Sequence, residues 1–212
     1  DRCELNPLET INVNITGTKN IAKAAKKENI SRMIFISTDK AVNPIGVMGA
    51  TKLLGEKLIS AEATHKSNTI FASVRFGNVF QTRGSILPRI EKQISNGGPI
   101  TLTNPEMKRF FMTKDDAINL IISAATIAKG GETFVLKMPL IRLEDLFNVM
   151  KDILSSKYNF KPSQIKTKII GTRPGEKLIE YLLTQFEMEN VFETKDFFII
   201  HPLNLSTKTY PN

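Results

Sequence analysis

The sequence predicts an α/β protein: a doubly wound parallel sheet whose N-terminal part is absent, followed by a smaller α/β region. Three observations predict it. Apolar runs of strand length stand at 32–38 (RMIFIST), 69–76 (TIFASVRF) and 132–138 (ETFVLKM), separated by helix-length amphipathic stretches. Such runs suit parallel strands buried on both faces and joined by helices. The composition, 41% hydrophobic and 24% charged, is that of a chain with a packed core. No G-x-x-G-x-x-G turn occurs anywhere, although a dinucleotide fold opens with a strand and that turn. The chain therefore reads as the C-terminal part of a longer protein.

In order along the chain, Asn6-Pro7 reads as an N-cap and first helical position. One helix follows through residues 8–29, with Ile11, Ile15, Ile21, Ala22 and Ala25 as its apolar stripe and Gly17 closely packed on a neighbour. After the strand 32–38 comes a helix over 49–64, then the strand 69–76. Residues 84–98 read as a helix stopped by Gly97-Gly98. PITLT (99–103) and MKRFFMT (107–113) read as short strands. Thr113 with Asp116 resembles a capping box opening the helix of 114–129. A strand at 132–138 precedes a helix beginning near Arg142 or Leu143. IKTKIIG (165–171) is a strand, TRPGEK (172–177) a loop followed by a helix, and KDFFII (195–200) a late strand. Residues from Pro202 are polar and expected to be loosely held. The domain division expected is 1–98 for the sheet domain and 99–212 for the second region, partly interleaved with the sheet.

The chain has 212 residues, enough for one large domain or two small ones. Its single cysteine, Cys3, excludes an internal disulfide and fits a reducing compartment, so a cytoplasmic location is expected. His65 and His201 lie far apart and no Cys/His ligand spacing exists, so no metal is expected. No apolar run approaches the ~20 residues of a membrane span, and no signal peptide opens the chain. The net charge is +8 with a pI near 9.5. Its lysines are scattered and no nucleic-acid motif accompanies them, so they read as a solvated basic surface and no nucleic-acid partner is expected.

Two clusters carry chemistry. The strand 32–38 ends in Ser37-Thr38, followed by Asp39-Lys40. Ligands of doubly wound sheets sit beyond the carboxyl ends of strands, so two hydroxyls, a carboxylate and an ammonium would meet there. The alternative is a polar strand end with Asp39 closing a turn. Met48 and Lys52 stand one helical turn apart, on one side of a helix.

Five stretches, ISTDKAVNP with VMGATK, RFGNVFQTRGSILP, GGPITLTNPEMKRFFMT, GGETFVLKM and GTRPGEKLIE, occur in that order between residues 36 and 180, within a resemblance that runs from about residue 6 to 200. Together they resemble the extended short-chain dehydrogenase/reductase family, in the polysaccharide-biosynthesis branch that holds UDP-N-acetylglucosamine 4,6-dehydratases and related epimerases. The resemblance implies a Rossmann-like fold with a smaller substrate-binding region, NAD or NADP as cofactor, and a UDP-activated amino sugar as substrate. In some members of the branch membrane segments precede the sheet domain. Most relatives have a tyrosine base where Met48 stands; the larger members of this branch resemble this chain in having methionine.

What the resemblance implies for individual residues is as follows. Thr38, Asp39, Lys40 and Lys52 form the catalytic set: Lys40 removes the sugar C5 proton, Asp39 protonates the departing C6 hydroxyl, and Thr38 contacts O4. Ser37, Lys52, Phe76 and Gly77 lie by the cofactor. Asn78, Arg109 and Arg173 hold the diphosphate, Glu176 orients Arg173, and Leu87 and Thr103 border the uridine. Arg83, Gly84 and Ser85 form a loop over the sugar. With Met48 in place, Asp39, Lys40 or a water could take the O4 proton. A C4 epimerase shares the 4-keto intermediate and is the rival within enzymes. A non-catalytic UDP-sugar-binding protein is the rival outside them. An exposed sheet edge invites self-association, so a homo-oligomer is expected.

Overall fold

A computed structural model describes residues 2–64, 67–82 and 85–202. His65, Arg83, Gly84 and the tail after Pro202 lie outside the described residues. In chain order the elements are α1 (Arg2–Leu5), α2 (Pro7–Ile11), a π-helical segment (Asn12–Gly17), α3 (Thr18–Lys27), β1 (Arg32–Thr38), α4 (Val47–Glu62), β2 (Ile70–Phe76) and β3 (Asn78–Val79). Then come α5 (Ile86–Ser95), β4 (Ile100–Leu102), β5 (Lys108–Met112), α6 (Lys114–Ile127), β6 (Thr133–Leu136), β7 (Leu140–Arg142), α7 (Leu143–Lys157), β8 (Thr167–Ile169), α8 (Gln185–Met188), β9 (Val191–Glu193) and β10 (Phe197–Ile200).

The chain divides into two compact units. The first comprises residues 1–76, 115–137 and 181–212. Its sheet has the order β1-β2-β6-β10-β9. β1 and β2 are parallel, in register from Arg32↔Ile70 to Thr38↔Phe76, and β2 and β6 are parallel. β10 joins antiparallel to β6, and β9 antiparallel to β10. The doubly wound parallel sheet is thus present, with an antiparallel hairpin closing one side. Ala22, Ala25, Phe35, Ile59 and Phe71 form a core cluster of this unit. The second unit comprises 77–114 and 138–180. Its strands form two small sheets, β3-β5-β7 and the parallel pair β4-β8. α5 and α7 cover a core that includes Ile90, Ile94, Leu102, Met107, Phe111 and Phe147. The boundary expected at residue 98 falls inside this unit, because β2 leads into β3 at 76–77 and residues 138–180 return to pack with 77–114.

Several expectations are corrected. The single helix over 8–29 is broken by the π segment, whose i→i+5 bonding inserts a residue and rotates the following turns. The buried positions are consequently Thr10, Thr18, Ala22 and Ala25, while Ile11 and Ile21 are exposed. Gly17 has no tight neighbour: a Cβ there would come no nearer than 3.6 Å to the Asn12 carbonyl. Within β1, Ile36 is exposed, since among the described residues this strand pairs with β2 alone. The helix expected after residue 177 does not form; residues 178–184 are irregular, and only the four-residue α8 follows. The Lys177 and Leu178 carbonyls are instead occupied by Arg109 and Lys108.

Candidate active site

The carboxyl end of β1 gathers the first cluster. Thr38 ends the strand in extended conformation, and Asp39–Ala41 form one 3-10 turn. Asp39 is fully buried. Its Oδ1 accepts from Lys40 Nζ at 2.9 Å and from Thr38 Oγ1 at 3.1 Å. Its Oδ2 is buried with no hydrogen-bond partner among the described residues, and so is Ser37 Oγ. Buried polar atoms ordinarily find a partner, and a water or a polar ligand could supply one for each of these two. Lys40 keeps a third of its side chain exposed. The structure thus brings Ser37, Thr38, Asp39 and Lys40 together, with the Asp39 side chain paired to Lys40.

Helix α4 is pressed onto this end by two glycines. A Cβ at Gly49 would lie 2.2 Å from the Lys40 carbonyl oxygen, and one at Gly55 would lie 2.5 Å from the Phe35 ring. Met48 stands half-buried in the first turn. One turn on, Lys52 Nζ donates to the Ile36 carbonyl at 2.6 Å and lies 4.5 Å from the Phe35 ring centroid. Burial pushes the Lys52 amine below its ordinary pKa, and the Glu56 charge opposes that.

Sequence reasoning missed the neighbouring ion cluster. Arg75, on β2, is 1% exposed and binds Glu56 through two contacts, Nε–Oε1 at 2.9 Å and Nη2–Oε2 at 2.7 Å. It also binds Glu187 of α8, at 2.9 and 2.6 Å, and the Leu182 carbonyl at 3.1 Å. Burial alone would lower the Arg75 pKa; the two carboxylates outweigh it and hold the guanidinium charged. Burial alone would likewise raise Glu187, but Arg75 and the Thr184 cap hold it below its ordinary 4.5. The available signal was an arginine inside an apolar strand, which requires a buried partner.

In the second unit the expected residues are spread. Gly77 is packed so that a Cβ would meet Met138 Sδ at 2.8 Å and the Phe110 carbonyl at 2.9 Å, while Phe76 ends β2 in the first unit. Asn78 Nδ2 donates to the Phe110 carbonyl at 2.9 Å, tying β3 to β5. Leu87 lies half-buried in α5, and Thr103 Oγ1 reaches Met107 Sδ at 3.2 Å. Ser85 precedes α5. Arg109 is 6% exposed, and its Nη groups donate to the carbonyls of Lys108, Lys177 and Leu178 at 2.8–3.1 Å, with Glu176 at 3.5 Å. Glu176 Oε2 accepts from the Arg173 backbone N–H at 3.2 Å, and Glu176 N–H donates to the Arg173 carbonyl at 3.1 Å, closing the 173–176 turn. Glu176 is placed to fix the Arg173 backbone. Arg173 itself is exposed.

Among the described residues no helix is long and apolar enough to cross a membrane. The family described as "Polysaccharide biosynthesis protein" matches residues 1–202. An uncharacterised membrane protein of Methanocaldococcus jannaschii is 50% identical over 94% of this chain and 61% of its own length. A UDP-glucose 4-epimerase of Rickettsia rickettsii is 38% identical over 93% of this chain and 57% of its own. The X-ray structure of Pen from Bacillus thuringiensis superposes with a TM-score of 0.91 at 44% identity, covering 98% of this chain and 64% of that one. The chain thus spans about three-fifths of the length of these curated relatives. The strand-end cluster, the parallel sheet and this match along nearly the whole chain together place it: it belongs to the polysaccharide biosynthesis protein family, a branch of the extended short-chain dehydrogenases/reductases.

Proposed function

We propose that this chain supplies the acid, the base and the diphosphate contacts of an NAD(P)-dependent nucleotide-sugar enzyme of glycan biosynthesis, catalysing 4,6-dehydration of a UDP-N-acetylglucosamine-type substrate through a 4-keto intermediate. The observation that carries this is the Lys40–Asp39 contact at 2.9 Å on a fully buried carboxylate whose second oxygen is unmet. Elimination needs an acid and a base together, and this pair provides both.

The residues present fit a nicotinamide cofactor. Ser37 Oγ is buried and unmet, and Lys52 Nζ spends one of its three donors on Ile36. A nicotinamide held beside Ser37 and Lys52 would supply the hydride acceptor for sugar C4 and the hydride donor for C6. Around that exchange the chain's own groups move protons. A sugar O4 proton passes through Thr38 Oγ1, which already donates to Asp39 Oδ1. Asp39, so protonated, releases that proton to the C6 hydroxyl, which leaves as water. Lys40 takes the C5 proton during the elimination and restores it to C5 afterwards. One proton thus serves O4 and then O6, and both side chains end as they began. This relay supplies what the methionine at position 48 cannot.

Arg173, exposed on a turn braced by Glu176, is the diphosphate anchor in this reading. Arg109, expected as a second anchor, serves instead in this reading to hold residues 176–178, since its Nη hydrogens are already directed at carbonyls and Glu176. Asn78, Leu87 and Thr103 keep their assignments to the diphosphate and uridine, and Phe76 and Gly77 theirs to the cofactor.

A C4 epimerase is the second reading, favoured by the 38% identity to a protein named UDP-glucose 4-epimerase. Mass spectrometry of full-length protein incubated with UDP-N-acetylglucosamine and NAD or NADP separates the two. Loss of one water, abolished in Lys40→Ala and Asp39→Asn, supports dehydration. An isomer of unchanged mass supports epimerisation. Binding of the sugar nucleotide without any product overturns both.

A further inference from the structure

Lys52 and Glu56 stand four residues apart on α4, the spacing at which lysine and glutamate pair across a helix turn. They do not pair. Lys52 Nζ donates to the Ile36 carbonyl at 2.6 Å, while both Glu56 oxygens are taken by Arg75. Arg75 and Glu56 are 1% and 3% exposed, so water offers neither an alternative partner. Ile36 and Arg75 belong to the neighbouring strands β1 and β2, and Arg75 lies opposite Ser37 in the register. We infer that Arg75 is a positioning residue that holds the Glu56 carboxylate off Lys52, leaving the ammonium seated on the Ile36 carbonyl with its remaining donors uncommitted. The functional meaning rests on the cofactor-side role proposed for Lys52; the competition between side chains does not.

Other charges on elements packed against α4 are engaged elsewhere or solvated. Asp39 pairs with Lys40, Lys26 with Glu62, Glu4 accepts from the Val47 N–H, and Arg32 donates to the Ala128 carbonyl. Arg2 of α1, Glu9 of α2 and Lys19, Lys23 and Lys27 of α3 are exposed. Glu56 is the charge that acts on the Lys52 amine, pushing its pKa up against the lowering by burial. Arg75, bidentate on the same carboxylate, limits that push.

A 13C NMR titration of lysine-labelled full chain tests this, with the Lys52 signal assigned through Lys52→Arg. Glu56→Gln keeps a carbonyl acceptor for Arg75 but removes the charge, and lowers the Lys52 midpoint by about half a unit or more. Arg75→Met frees Glu56 and raises it. The double variant returns to the Glu56→Gln value. A clamp that only holds the fold gives the other sign in Glu56→Gln, because loosened packing hydrates Lys52 and raises its midpoint. A raised midpoint in Glu56→Gln therefore overturns the inference even where Arg75→Met does not fold, and so does a folded Arg75→Met whose midpoint fails to rise. No turnover is needed, so failure of the dehydration reading and failure of this one show separately.

Discussion

At the scale of single residues, the proposed base is held by backbone as much as by its ion pair. The Gly49 position lies against the Lys40 carbonyl, where a Cβ would come within 2.2 Å. Backbone cannot swing aside as a flexible side chain can. Gly49→Ala must therefore part α4 from the 39–41 turn, at a cost of about 1–3 kcal/mol. Chemical denaturation reads that cost. Turnover of the full-length protein should fall further than the stability loss accounts for, because the turn carries both Asp39 and Lys40. A variant with wild-type stability and rate would show that the turn is not seated by the helix. Lys40→Arg asks a different question. Arginine places a permanent charge beside Asp39 and cannot accept the C5 proton. Turnover should drop by about 10²-fold or more, while the melting temperature stays near wild type. An active Lys40→Arg enzyme would remove Lys40 from the base role.

At the scale of elements, Arg75 ties β2 to α4 through Glu56 and to α8 through Glu187. These partners are 19 and 112 residues away in sequence, a non-local arrangement that local patterning does not reveal. Strands β1, β2, β6 and β10, by contrast, were legible because each lies in a short apolar run between turn residues, whereas β3, β7 and β9, only two or three residues long, were not. The π segment was not, since an extra residue in a helical turn leaves the composition unchanged. The helix expected after residue 177 failed for a tertiary reason, the claim of Arg109 on its first carbonyls. The ion cluster carries a pH signature. The Glu187 pKa is lowered in the fold, so its contribution is complete above the ordinary value of 4.5 and is lost as pH falls through the lower folded value. Glu187→Gln should therefore destabilise the protein by about 1.5–3 kcal/mol at neutral pH. In urea unfolding the gap from wild type should close on the acid side of 4.5. A gap that stays constant into acid would mean that Glu187 does not act as a charged partner of Arg75.

At the scale of the whole molecule, the strand-end cluster was legible because an apolar strand ends in Ser37-Thr38 and runs on into Asp39-Lys40, and doubly wound sheets place ligands there. Partial interleaving with the sheet was expected, but the boundaries were not legible, because they depend on residues 138–180 returning to 77–114, a pairing that no local pattern encodes. The charge was legible from composition, and it separates two kinds of contact. The net +8 favours an anionic nucleotide through a long-range field, which salt screens over roughly 10 Å at 0.1 M. A guanidinium touching the diphosphate is screened far less. Arg173→Gln should therefore weaken UDP binding by about tenfold, the loss of a charge-assisted hydrogen bond, and most of that loss should persist at high salt. Lys23 is an exposed lysine with no proposed ligand contact. Lys23→Glu should weaken binding at low ionic strength alone, by a few-fold at most, and match wild type once the field is screened. Isothermal titration with UDP at low and high salt reads both variants. An Arg173→Gln deficit that vanishes with salt would reduce that arginine to one more contributor to the field, and the diphosphate anchor would have to be sought in another residue.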